Sequence, residues 1–153
     1  MSITSFFGLL CALLLFQSGF AELMDYKIRV RTGTVKSAGT DASIFIIMHG
    51  NRGSTDRIPL RDPDGRRFER GSLDYFTGTT EFIGQLKSIT IGHNNGGWQA
   101  GWFLEDVRIG LYQHNTFHQF AYYEYQINWN NWIAGDELDG TIVKTIPARY
   151  YVE

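Results

Sequence analysis

Cysteine is nearly absent from this sequence. Of its 153 residues only Cys11 is one, and it sits in an apolar N-terminal run. Phe6 to Phe16 has the length of a signal h-region, and Gly19-Phe20-Ala21 places small residues at the −3 and −1 positions of a cleavage site. Residues 1–21 are therefore expected to be a signal peptide, residues 22–153 a single mature domain, and the protein secreted to the extracellular space. The run is shorter than the ~20 apolar residues a spanning helix needs, and no later segment is uniformly apolar, so the mature chain should contain no transmembrane segment. Loss of Cys11 would leave no thiol, which excludes disulfides, thiolate nucleophiles and cysteine metal sites. A basic excess is missing too. The formal net charge is −2, which argues against a general nucleic-acid binder. There is no Asn-x-Ser/Thr triplet, so N-glycosylation is not expected. No nucleophile elbow or zinc motif appears, and a hydrolytic site would have to be assembled from the distant His49, His93 and acids. An enzyme is not expected.

What the sequence does have is aromatic mass and short alternating segments. Its 11 Phe, 8 Tyr and 4 Trp can build a core without covalent staples. Tyr26, Ile28 and Val30 alternate with Lys27, Arg29 and Arg31, predicting a half-buried strand with a basic outer face. Ser43–His49 is almost continuously apolar and predicts a central strand. Arg57–Leu60, Leu73–Phe82, Leu86–His93, Trp102–Tyr112, Phe117–Trp129, Trp132–Ala134 and Thr141–Ile146 extend the pattern, separated by turn residues such as Pro63-Asp64-Gly65. Short strands without a helical period predict an all-β chain folded as an antiparallel β-sandwich. Ile91–Val107 holds a strand, a glycine-rich loop carrying Asn94, Asn95 and Trp98, and a second strand. Such a loop is suited to contact.

The ordered set of segments resembles the PLAT, or lipoxygenase-homology, domain family. Its parts are Tyr26 to Gly33, Ala38-Gly39-Thr40-Asp41-Ala42, Phe68-Glu69-Arg70-Gly71 with Asp74 and Phe76, and Ile91 to Asn95. Gly101 to Val107, Trp132 and the acidic turn Asp136 to Gly140 complete it. The resemblance covers Tyr26 to about Ile146 and implies a sandwich of two four-stranded sheets. It also implies a non-enzymatic role, attaching proteins to membranes or protein partners, often with calcium.

The resemblance further implies a weak calcium site. Mapped onto this sequence, its ligands would be Gly39, Thr40 and Asp41 from one loop, Asp62 and Asp64 from a second, and Asn94 and Asn95 from a third. Ser37 and Asn94 depart from the family by standing where calcium-binding members more often carry Asp. Read without calcium, Asp41, Asp62 and Asp64 are turn residues. Trp98 is a lipid-contact candidate, because an indole suits a bilayer interface, or else it folds back over the sandwich edge. Arg61, Arg66, Arg67 and Arg70 form a basic patch that either meets an anionic surface or neutralises Asp62 and Asp64. His114 and His118 are read as solvated or turn residues. Two functions stay open: a module binding lipid surfaces or hydrophobic ligands with calcium, and an extracellular protein-interaction domain partnering a lipase, receptor or other secreted protein. The second would use a sheet face or the aromatic strand Phe117–Trp129.

Overall fold

Alternation along Tyr26–Arg31 sends Tyr26, Ile28 and Val30 to one side of a strand and the three cations to the other. In the computed structural model that strand is β1 (Leu23–Thr32), and its inward side chains are buried. The structure describes residue 19 and residues 21–114, 121–135 and 142–151. The remaining strands are β2 (Ile44–Gly50), β3 (Ile58–Leu60), β4 (Leu73–Glu81), β5 (Leu86–His93), β6 (Trp102–Gln113), β7 (Ala121–Ile133), β8 (Val143–Pro147) and β9 (Arg149–Tyr150). They form a five-stranded sheet in the order β4-β1-β6-β7-β9 and a four-stranded sheet in the order β3-β2-β5-β8, with every pairing antiparallel. The β-sandwich expected from the alternation is the observed fold. The signal-peptide run, His118 and the acidic turn Asp136–Gly140 lie outside the described residues.

Two details differ from the expectation. The resembled plan of two four-stranded sheets gains a ninth strand, because Tyr150 and Arg149 pair with Tyr125 and Gln126 of β7. Aromatic contact accounts for this: the Tyr150 ring lies 4.9 Å from that of Tyr125 and 5.8 Å from that of Tyr123. Two expected segments, ending at Trp129 and starting at Trp132, are also one strand running on to Ile133. The pairing of β6 with β7 shifts between Leu104 and Asp106, and Asn130 adopts φ 50°. The strand therefore absorbs its irregularity as a bulge instead of ending.

The inner faces of the sheets meet in one core. Ile28, Val30, Ile46, Met48, Ile89, Ile91, Trp102, Leu104, Val107 and Ile127 are all fully inaccessible. The Tyr125 hydroxyl accepts a hydrogen bond from Leu86 N across the sandwich at 3.1 Å, and burial raises its pKa above the usual phenol range. On the outer face of the four-stranded sheet, Phe45 is covered by the Arg57 guanidinium, 3.9 Å from its ring. That cation–π contact accounts for the burial of Phe45, while Ile47 and His49 on the same face stay partly exposed.

Strand register decides where the loops fall. The end of β1, the start of β4, the start of β6 and the end of β7 are neighbours, as are the start of β2, the end of β3, the end of β5 and the start of β8. The β1–β2, β3–β4, β5–β6 and β7–β8 connections therefore share one end of the sandwich. The calcium, lipid-contact and basic-patch residues named in the sequence analysis all belong to these loops.

Candidate functional site at the loop end

The base of this end is rigid. Trp102 is fully buried, and its Nε1–H donates to Thr32 Oγ1 at 3.0 Å. Phe68 packs edge-on to Trp102 at 5.5 Å and stacks on Phe76 at 5.7 Å. Phe68 has φ 57°, a conformation an L-residue with a bulky side chain rarely adopts. The Asp74 carboxylate holds it there, accepting from Phe68 N at 2.8 Å and from the Ser72 hydroxyl at 2.7 Å. Thr40 N then donates to Phe68 O at 3.1 Å. A Cβ on Gly39 would lie only 3.0 Å from that same oxygen, so the first loop closes on the second through glycine.

Above this base the β1–β2 and β5–β6 loops are zipped together. Asp41 N donates to Gln99 O at 3.0 Å, Asn94 N to Ser43 O at 3.2 Å, and Gln99 Nε2 to Ser37 O at 2.7 Å. Asn94 Oδ1 accepts from both Ser43 N and Gly96 N, each at 3.0 Å. His93 anchors the zipper from beneath. It is buried, donates Nε2–H to Ile133 O at 2.8 Å, and accepts Asn95 N at Nδ1 at 3.0 Å. Those two contacts require the neutral Nε2–H tautomer, and burial lowers the His93 pKa in the same sense. Gly97, at φ 81°, passes so close to Asp41 that a Cβ would meet the Asp41 Cβ at 2.7 Å. The next residue, Trp98, is left outside with 103% relative exposure. It does not fold back over the sandwich edge.

Only four of the seven expected calcium ligands line a hollow, and they divide between two. Thr40, Asp41 and Asp62 line a cavity of about 550 Å³ together with Glu69. Asn95 lines a second cavity of about 630 Å³ on the other flank, with Trp98, Ser37 and Trp132. Neither lining includes Gly39, Asp64 or Asn94. The Asn94 oxygen already accepts two backbone hydrogen bonds, which occupies its two lone pairs. Asp62 Oδ1 accepts Arg66 N at 3.0 Å, as a turn carboxylate does. Asp41 has no hydrogen bond or ion pair from its carboxylate among the described residues. Carboxylates and carbonyls are the right donors for a hard cation. Among the described residues, however, no three acidic or histidine side chains cluster closely enough to hold one. The donor types suit a hard cation, with the Asp41, Asp62 and Glu69 carboxylates lining one cavity as the residues that could hold it.

Sequence reasoning missed Glu69 as a contributor to the first cavity, although it stands inside the Phe68-Glu69-Arg70-Gly71 segment. Val35, 42% exposed in the β1–β2 loop, was missed as a second apolar group at the Trp98 end. The basic patch is less available than its sequence suggests. Arg67 lies over the Phe76 ring at 4.5 Å and donates to Arg61 O, while Arg70 Nε donates to Thr34 O. None of the ion pairs among the described residues joins Arg61, Arg66, Arg67 or Arg70 to Asp62 or Asp64.

The described histidines are each engaged in structural contacts. His49 bonds the Ser54 and Thr90 hydroxyls at 2.9 and 2.7 Å, and among the described residues no carboxylate bonds its ring to orient it as a base. His114 pairs with Asp25 at 2.8 Å. No helix among the described residues is long and apolar enough to cross a membrane.

Comparison with known proteins agrees with this geometry. The PLAT/LH2 domain model matches residues 26–144. The chain is 40% identical over 121 residues to lipoxygenase homology domain-containing protein 1 of Mus musculus, covering 79% of this chain and 6% of that protein. It is 39% identical over 85 residues to human polycystin-1-like protein 3, covering 55% of this chain and 5% of that protein. Coral 8R-lipoxygenase, described as activated by calcium through a C2-like domain, superposes with a TM-score of 0.62 at 25% identity, over 81% of this chain and 17% of that one. The chain thus spans only a small part of the length of the relatives it matches, and it belongs to the PLAT/LH2 domain family.

Proposed function

We propose that this domain is a secreted, non-catalytic recognition module that docks its loop end on a lipid surface or hydrophobic ligand, aided by calcium. The observation that carries the reading is Trp98, fully exposed at the tip of a loop braced by His93, Asn94 and Gly97. An indole offers a large apolar body and one N–H donor, which suits the headgroup boundary of a bilayer. Val35, exposed at the same end, adds apolar contact.

One indole anchors feebly, and stable attachment usually takes two signals. Bound calcium would supply the second by bridging acidic side chains and anionic headgroups. Asp41 is the principal ligand in this reading, with Thr40, Asp62 and Glu69 lining the same cavity. The calcium dependence in the description of coral 8R-lipoxygenase is consistent with this. So few carboxylates place the affinity in the weak extracellular range, on the order of 10⁻⁴–10⁻³ M.

Liposome co-sedimentation with and without millimolar calcium, on neutral and phosphatidylserine vesicles, tests the reading. Calcium-dependent binding to anionic vesicles is the expected result. Binding to neither kind of vesicle under either condition would leave the protein-partner function as the better account. Secretion is tested separately by expressing the full chain and sequencing the exported product, whose N-terminus should be Glu22.

A further inference from the structure

The basic strand Lys27-Ile28-Arg29-Val30-Arg31 plays no part in the loop end. Its outward side chains lie on the exposed face of the five-stranded sheet, on the flank of the sandwich. Strand register puts like charges together there. Arg29 stands directly across from Arg108 on β6 and from Tyr75 on β4, and Lys27 stands across from Gly110. Directly opposed like charges destabilise a sheet, so this arrangement costs the fold something.

The local anions compensate only part of it. Asp106 pairs with both Arg29 and Arg31. Arg108 has no ion pair among the described residues; its guanidinium lies 4.4 Å from the Tyr151 ring, and Tyr151 is tied to β7 through Glu124 O. The Nε–H groups of Arg29 and Arg108 are both buried without a hydrogen-bond partner. Those two atoms are closed to solvent, so an incoming group would meet the terminal nitrogens of Arg108, and a carboxylate is the acceptor that matches a guanidinium best.

The same residues frame a groove. Gly110 lies on its floor, where the Tyr112 ring takes the place of a side chain, 2.8 Å from where a Cβ would stand. The hollow, of about 240 Å³, is walled by Lys27, Arg29, Arg108, Tyr75, Tyr112 and Tyr151, with Glu124 the one carboxylate lining it among the described residues. Tyr75 is 61% exposed on its rim. Among the described residues three cations meet one lining carboxylate, with Arg29 also paired to Asp106, and their setting among tyrosines suits the reading of acidic side chains, since Tyr and Arg dominate binding hot spots.

We propose that this groove is a second binding site, one that takes the carboxylate side chains of an acidic segment of a partner protein. Its volume suits one or two side chains. Its place on the flank, away from the loop end, leaves it accessible while Trp98 engages a surface. The site does not depend on the lipid reading of the loops.

The test is titration of fluorescein-labelled decaglutamate into the protein, read by anisotropy, with phosphatidylserine vesicles as a parallel arm. Saturable binding that weakens with salt is expected, reduced about tenfold or more in Arg108→Glu, since hydrogen bonds to charged groups are individually strong. Lys87→Glu makes the same charge change on β5 of the other sheet and should leave binding intact. Should Arg108→Glu fail to fold, Arg108→Gln removes the charge at similar size and should show the same direction of loss. The absence of saturable decaglutamate binding, or equal binding by wild type and the Arg108 variants, would overturn the proposal. So would an Arg108 dependence confined to the vesicle arm.

Discussion

Trp98 and Trp102 are four positions apart in one loop-and-strand segment, yet one is fully exposed and the other fully buried. The difference lies in what each backbone position is bound to. Trp102 starts β6, where alternation turns it inward onto Phe68 and its N–H finds Thr32. Trp98 follows Gly97, whose contact with Asp41 presses the loop against its neighbour and leaves no inward space for the next side chain. The same residue type is thus a keystone of the core in one place and, in the function proposed above, a contact group in the other, and the hydrogen-bonded loops between them keep the two apart.

Trp102→Ala should break the buried side of this contrast most severely, costing about 3–5 kcal/mol of stability in urea unfolding, the usual cost of a large aromatic lost from a core. Asp74→Ala should come next. It leaves Phe68 N without an acceptor and removes what holds a non-glycine residue at φ 57°, a loss of about 1–3 kcal/mol.

The His93 anchor gives the comparison a pH axis. Burial lowers its folded-state pKa below the ordinary 6.5, so the unfolded chain takes up a proton first as pH falls. The contribution of His93 to stability is complete above about pH 6.5 and declines as the pH drops from there toward the lowered folded value. Melting temperatures measured from pH 7.5 to 5 should follow that decline, and His93→Gln should flatten it. A variant as pH-sensitive as wild type would remove His93 from the account.

At the tip the effects on stability should nearly vanish while binding changes. Asp41→Asn should abolish the calcorimetric heat of calcium binding and leave the calcium-free melting temperature close to wild type. Trp98→Ala should shift stability by no more than about 0.5 kcal/mol, the range of ordinary surface substitutions.

The scaffold was legible in the sequence for a physical reason. Period-two alternation at Tyr26–Arg31 and the apolar run at Ser43–His49 state directly which face of a strand is buried. The strand Arg149–Tyr150 was not legible, because two residues carry no period and its pairing rests on ring contacts with Tyr125 and Tyr123. The site was only half legible. Trp98 and Asp41 stood out as an indole and a carboxylate in glycine-rich loops; the first is fully exposed and the second lines a cavity. Asn94 looked like a ligand because sequence shows the amide but not the two backbone donors that occupy it. Glu69 escaped notice because its cavity is closed by Asp41 and Asp62 from other loops, a tertiary fact. The opposition of Arg29 and Arg108 likewise appears only once β1 and β6 are in register.

Tryptophan emission in the presence of phosphatidylserine vesicles and calcium tests the central claim most directly, since Trp98 is the fully exposed indole and Trp102 is already buried. The wild-type spectrum should move to shorter wavelength when vesicles are added, and a chelator should reverse the shift. Trp98→Ala should show no shift at all. An unchanged wild-type spectrum, or an equal shift in Trp98→Ala, would contradict the assignment of this loop as the lipid-contacting tip.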